Sequence, residues 1–164
     1  MIIVEDRLKE LFDGLPDITV GSDVFTPLFD FGSKDDLNIL IKEEEAPYPL
    51  IWLVSEFQEN KNEKDHVNVK LNFVLATCTD SVMKNSERLE YSFKGVLIPL
   101  FENMLKAFCR SNIAIMVNQD YTITKHYNYG SGIESNTLDI WDAIQFEIEL
   151  NIYDNVLKTV NYYG

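Results

Sequence analysis

The sequence predicts a single α+β domain: a mainly antiparallel sheet of about five strands, packed by one long kinked helix, with shorter helices toward the N-terminus. Three observations carry this reading. Two stretches, His66 to Thr77 and Ile140 to Tyr153, alternate apolar and polar residues over more than ten positions. Between them, Ser86 to Cys109 repeats apolar residues at steps of three and four, as one broad helical stripe does. The chain has 164 residues, 46% of them hydrophobic and 25% charged, which suits one core and leaves no linker or repeat to divide it.

The elements follow in order. Val4, Leu8, Leu11 and Phe12 share one helical face between Val4 and Asp13, and Gly14 with Pro16 ends that helix. Asp17 to Gly32 holds Val20, Phe25, Leu28, Phe29 and Phe31. Five large apolar groups do not stay in water, so the segment reads as an ordered, partly extended connection. Ser33 caps a short second helix with Asp35 and Asp36 in its first turn. Leu37, Leu40 and Ile41 form its buried stripe, and Pro47 and Pro49 stop it near Glu45.

Pro49 to Val54 is apolar on both faces, which places that strand inside a sheet. The polar run Gln58 to Asp65 then turns the chain into the alternating strand from His66. There Val67, Val69, Leu71, Phe73 and Leu75 point one way, and Asn68, Lys70 and Asn72 the other. The long helix starts with Ser86 as its cap. Leu89, Phe93, Val96, Leu97, Leu100, Phe101, Met104, Leu105 and Phe108 form its stripe. Pro99 crowds the carbonyl of Gly95, so a kink is expected there. Ile113 to Lys125 reads as another hairpin, turning at Asn118-Gln119-Asp120. The loop Gly130-Ser131-Gly132 leads to the last strand, with Ile140, Ile144, Phe146, Ile148, Leu150 and Ile152 on one face and Gln145, Glu147, Glu149 and Asn151 on the other.

Length adds a constraint. Fourteen residues of strand, Ile140 to Tyr153, span ~45 Å at ~3.3 Å each, against roughly 40 Å across a domain of this size. Either the strand bends, or its end projects and pairs with a neighbouring subunit.

Composition excludes several classes. The chain has 27 acids against 14 bases, net −13, with a pI near 4.4. Phosphate binding needs clustered Lys and Arg, so a general nucleic-acid binder and an anionic-membrane binder are both disfavoured. No apolar run approaches the roughly 20 residues of a membrane span, and the opening Met1-Ile2-Ile3-Val4-Glu5-Asp6 has no signal-peptide character. A soluble protein made in a cytoplasm is expected. Cys78 and Cys109 read as reduced thiols, and His66 and His126 lack a second metal ligand at helical spacing. No phosphate loop, nucleophile elbow or zinc motif occurs. The expectation is no catalytic residue, no metal and no cofactor: not an enzyme.

Two distributions point toward contacts with other chains. Six of the eight tyrosines lie from Tyr121 onward. Of these Tyr127, Tyr129, Tyr153, Tyr162 and Tyr163 are candidates for a subunit interface, where tyrosine buries much area at small entropic cost, or else ordinary sheet surface. In the polar turn, Glu59, Lys61 and Glu63 either sit in solvent or reach a partner. Residues 1–45 carry 12 acids and 4 bases, which is an ordinary solvated face, a surface that repels nucleic acid, or one that imitates it.

The order of elements resembles a known family, the tail terminator proteins of long-tailed bacteriophages. The resemblance rests on an N-terminal helix, the hairpin opening at Tyr48-Pro49-Leu50-Ile51-Trp52-Leu53, and the long amphipathic helix. It ends in Trp141-Asp142-Ala143-Ile144-Gln145-Phe146-Glu147-Ile148-Glu149-Leu150, which looks like the closing strand of such proteins. It covers nearly the full length as a pattern of elements, with no residue-level signature to carry over. It implies a structural virion protein, assembled in the bacterial host cytoplasm. Such a protein forms a hexameric ring on the head-proximal end of the tail tube, touching its own copies, the tail tube protein and the neck or connector protein. DNA passes through without being specifically bound. Apart from the resemblance, Glu43, Glu44 and Glu45 in the acidic N-terminal run are the candidates for acids facing such a lumen. Another connector or neck component shares this style. From a different class, an acidic mimic of DNA that inhibits a nucleic-acid-processing enzyme remains the alternative.

Overall fold

The computed structural model describes residues 1–41, 43, 48–61, 65–80, 82–129 and 140–163. Helix α1 (Val4–Phe12) buries Val4, Leu8, Leu11 and Phe12, the face expected from their spacing. A two-stranded hairpin follows, β1 (Ile18–Val20) and β2 (Asp23–Phe25). It turns at Gly21, whose φ of +61° lies in the left-handed region that glycine enters freely. Strand β3 (Leu28–Gly32) leads into helix α2 (Lys34–Ile41). Ser33 caps α2 as expected: its Oγ accepts the Asp36 N–H at 3.1 Å, and Asp36 Oδ2 accepts the Ser33 N–H at 2.8 Å.

Strands β4 (Leu50–Val54), β5 (Glu59–Lys61) and β6 (His66–Thr79) come next. A continuous helix of 26 residues follows, made of α3 (Asn85–Arg88), a π-helical stretch (Leu89–Leu97) and α4 (Ile98–Arg110). Strands β7 (Ala114–Met116), β8 (Ile123–Tyr129) and β9 (Ile140–Tyr153) complete the fold. The main sheet runs β3-β4-β6-β9-β7, with β5 beside β6 and β8 beside β9. Its centre is the antiparallel pair β6–β9, in register from His66 opposite Tyr153 to Thr79 opposite Ile140. β3 and β4 are parallel, and the other pairs are antiparallel.

The register sorts the two faces. One face gathers Val67, Val69, Leu71, Phe73 and Leu75 with Ile144, Phe146, Ile148, Leu150 and Ile152, and Phe73 stacks on Phe146 at 5.4 Å. Helix α1 and the long helix cover it with Phe12, Phe93, Leu97, Phe101, Met104 and Phe108. Each such fully buried side chain contributes roughly 1.5–3 kcal/mol, so this face is the main core. On the opposite face, Trp52, Val74, Ala76, Trp141 and Ala143 pack against Leu37 and Ile41 of α2. Farther along that face the sheet is polar. Asn68 Nδ2 donates to Glu149 Oε1 (3.0 Å) and Asn151 Oδ1 (3.1 Å), and Lys70 pairs with Glu147 at 2.9 Å.

The α+β class, the mainly antiparallel sheet and the long helix stand as expected, with all of β4 buried as an inner strand. The main sheet has seven strands rather than about five, because short β3, β5 and β7 join it. Just before Pro99, where a kink is expected, the helix is π-wound: the Ile98 N–H donates to Phe93 O, five residues back. The helix begins at Asn85, with Glu87 Oε2 accepting the Lys84 N–H at 2.7 Å, so Ser86 is not the cap. Part of the supposed turn Gln58 to Asp65 is strand, since β5 pairs with Val67–Val69.

One expectation is corrected. β7 and β8 do not form a hairpin; both pair antiparallel to β9 and therefore run the same way, end to end along one edge. The 14 residues of β9 offer room for both. β9, for which bending and projection are the alternatives, is paired along its whole length with the equally long β6. The loop Gly130-Ser131-Gly132 and the stop at Pro47 lie outside the described residues.

Candidate assembly interface

A sheet that is not closed leaves two edges, and unpaired backbone groups there are a template for another strand. One edge is β3, where Leu28 and Phe31 are exposed. It is partly shielded, because the Phe31 N–H donates to Asp30 Oδ1 at 2.8 Å. The other edge is β7 followed by β8. Val117 N–H still donates to Glu149 O (3.0 Å), and the chain then leaves the edge until Ile123. Only His126 and Tyr129 of β8 are partly covered; Ile123 through Lys125, Tyr127 and Asn128 are exposed.

Alternation divides the β8 side chains. Ile123, Lys125 and Tyr127 lie on the helix side, where the Tyr127 ring sits 4.6 Å from Phe93 and Lys125 Nζ lies 5.9 Å from the same ring. Near Tyr129 the strand bulges, with Asn128 at φ +69° and its N–H donating to Asp142 Oδ1 at 3.3 Å. Ile115, Val117, Tyr121, Ile123 and Tyr127 give this edge a line of exposed apolar groups. No described strand covers it.

The sequence-predicted residues fall in separate places. Tyr127 and Tyr129 are on the β8 edge; Tyr129 stands 5.3 Å from the His126 ring, and burial pushes its hydroxyl pKa up. Tyr153 lies at the far end of β9, against the His66 ring at 5.0 Å, and its carbonyl accepts from Arg7 Nε at 3.2 Å. Glu59 and Lys61 pair with each other in β5 at 2.8 Å, close to that end. Tyr162 is no exposed contact: it is 8% exposed and packs on the main core. The irregular C-terminal strap is anchored by side-chain donors, with Asn112 Nδ2 donating to Val156 O (2.7 Å) and Lys106 Nζ to Tyr162 O (3.2 Å). Tyr163 is 89% exposed. Glu43 is exposed beyond α2, while Glu44, Glu45 and Glu63 lie outside the described residues.

Sequence reasoning missed a buried polar cluster beneath the helix start. Arg88 Nη1 stands 3.9 Å from Asp142 Oδ1, with side chains 5% and 0% exposed. Arg88 Nε and Nη2, Asp142 Oδ2 and the buried Ser92 Oγ have no hydrogen-bond partner among the described residues. The available signal was parity, since Asp142 occupies the inward set of β9 with Ile144 and Phe146. Among the described residues no three His, Cys, Asp or Glu side chains gather as metal ligands, and no helix is long and apolar enough to cross a membrane. No protein-family model matches the chain, and no curated protein matches it significantly.

Proposed function

We propose that this chain is a structural virion protein of the tail terminator type. It joins its copies into a ring at the head-proximal end of a phage tail tube and links that tube to the neck. The observation that carries this reading is the pair of unclosed edges on opposite sides of one sheet, β3 and β7–β8, both with exposed apolar side chains. Two different edges on one molecule suit a head-to-tail contact, which closes into a ring when the rotation allows. The resemblance in element order supplies the setting, the tail, and the hexameric count.

Charge supports the same reading. Copies carrying −13 each surround a channel with a field that keeps DNA off the wall. Several of the described acids are paired with bases, as in Lys9–Asp13, Lys70–Glu147 and Lys94–Glu90. A mimic of DNA would need bare rows of carboxylates instead.

Negative-stain microscopy tests the proposal, using the purified protein alone and mixed with tail tubes lacking a terminator. Rings seated on one tube end are expected, and Ile123→Asp with Tyr127→Asp should abolish them while circular dichroism stays native. Absence of rings in both samples, or rings unaffected by the double change, would refute it.

A further inference from the structure

A second surface lies away from both sheet edges. The β1–β2 hairpin packs directly on the π-helical stretch, because Gly95 has no side chain where a Cβ would come within 3.2 Å of Val20 Cγ1. Beside this contact is a groove of about 810 Å³, with Val20, Val82, Met83 and Tyr91 among its apolar lining and Glu87 and Glu90 at its rim. Val82 is 80% exposed and Val24, on the hairpin, 62%. Covering such β-branched groups releases roughly 25 cal/mol per Å² of apolar surface.

Acids outnumber bases around the groove. Asp23, Asp80, Glu87 and Glu90 are exposed there, against Lys84 and Lys94. Asp23 Oδ2 accepts the Tyr91 hydroxyl at 3.3 Å, and Lys94 pairs with Glu90. Glu90 and Tyr91 of the groove lining belong to the π-helical stretch, a winding that recurs at functional sites, while Ser86 and Glu87 come from α3, Val20 from β1, and Val82 and Met83 from the residues just before the helix.

We propose that this groove docks a basic amphipathic segment of a partner protein. An aliphatic side chain of the partner rests on Val20, Val82, Met83 and Tyr91, and its Lys or Arg residues face Asp23, Glu87 and Glu90. The occupant is a different protein rather than a second copy, because a copy with 27 acids against 14 bases brings like charge to an acidic rim. The proposal stands independently of the ring.

The test uses the full-length ¹⁵N-labelled protein and three synthetic peptides: a Leu/Lys amphipathic peptide, its Leu/Glu counterpart and its Ala/Lys counterpart. The Leu/Lys peptide alone should produce saturable shifts, centred on the amides of Val20, Val82, Met83 and Tyr91. Val82→Asp combined with Glu90→Lys should weaken its binding at least ~tenfold with an unchanged melting temperature, since both side chains are exposed. Val82→Ser serves as a second, milder variant with the same direction of effect. Equal shifts from the Ala/Lys peptide, shifts spread over the whole acidic surface, or undiminished binding by both variants would overturn the proposal. So would concentration-dependent shifts of the same amides without peptide, which would make a second copy the occupant.

Discussion

The buried pair Arg88–Asp142 yields the sharpest stability prediction. At 3.9 Å and an effective dielectric constant near 20, the mutual attraction is about 4 kcal/mol. Against it stands the desolvation of two ions, several kcal/mol each even after relaxation. Among the described residues Arg88 Nε and Nη2 and Asp142 Oδ2 have no partners to offset that cost, and each unsatisfied group adds about 1–3 kcal/mol. The pair is therefore near neutral or unfavourable as a whole, yet either ion alone would be worse. Asp142→Asn and Arg88→Met should each cost about 3–5 kcal/mol. The double variant Arg88→Met/Asp142→Asn should recover most of that loss, because the Asn side-chain carbonyl still accepts the Asn128 N–H that now bonds Asp142 Oδ1. Urea unfolding followed by Trp fluorescence measures all four proteins, and the double-mutant cycle isolates the coupling. A cost below ~1 kcal/mol for Asp142→Asn, or a double variant no better than the worse single one, would refute the reasoning. Either result would mean that water hydrates the site.

Four further outcomes are expected. Tyr162→Ala should destabilise by about 3 kcal/mol through lost core packing, whereas Tyr163→Ala should leave urea unfolding unchanged. Gly32→Ala places a Cβ 2.7 Å from Trp52 Cζ2 and 2.9 Å from Asp36 Oδ2; it should destabilise by about 1–3 kcal/mol and alter Trp52 fluorescence. Asp36 is held below 3.8 by the Ser33 backbone N–H and then by the Ser33 hydroxyl. With its folded pKa depressed, its contribution is present above ~pH 4 and fades as pH falls through the folded value; an NMR titration of the Asp36 carboxyl should lose the depression largely in Ser33→Pro and partly in Ser33→Ala. Asp30→Ala frees the Phe31 N–H on the β3 edge, and sedimentation should show stronger self-association than in the parent protein.

The long strands and helix were legible because one physical cause, burial of a single face, dominates them. In β6, Val67, Val69 and Leu71 alternate with Asn68 and Lys70, and the register with β9 follows from two such patterns facing one core. The β7–β8 arrangement was not legible. Ile115 and Ile123 are exposed, so their alternation reports no core, and the free edge of β9 rather than the turn at Asn118-Gln119-Asp120 decides their pairing. Tyr162 looked like the end of a chain, but Lys106 and Arg110 reach across to the strap carbonyls and hold it down. Arg88 and Asp142 defeat composition-based reasoning altogether, since charged residues are read as exposed until packing shows them paired.

The two edges differ in a way that bears on when a ring would form. β8 has seven residues, five of them exposed, while β3 has five and already satisfies the Phe31 N–H with Asp30. A strand arriving at β3 must displace that carboxylate, so one charge-assisted bond is exchanged for an ordinary one worth only ~0.5–1.5 kcal/mol net. Association also costs at least ~4 kcal/mol in lost translational and rotational freedom. Short strand pairing between free subunits is therefore weak, which keeps isolated molecules from polymerising edge to edge. On the proposed reading, a tail tube that holds neighbouring subunits side by side raises their effective concentration toward millimolar. The same contact then becomes favourable without any new interaction at the edges, and closure follows the tube rather than preceding it.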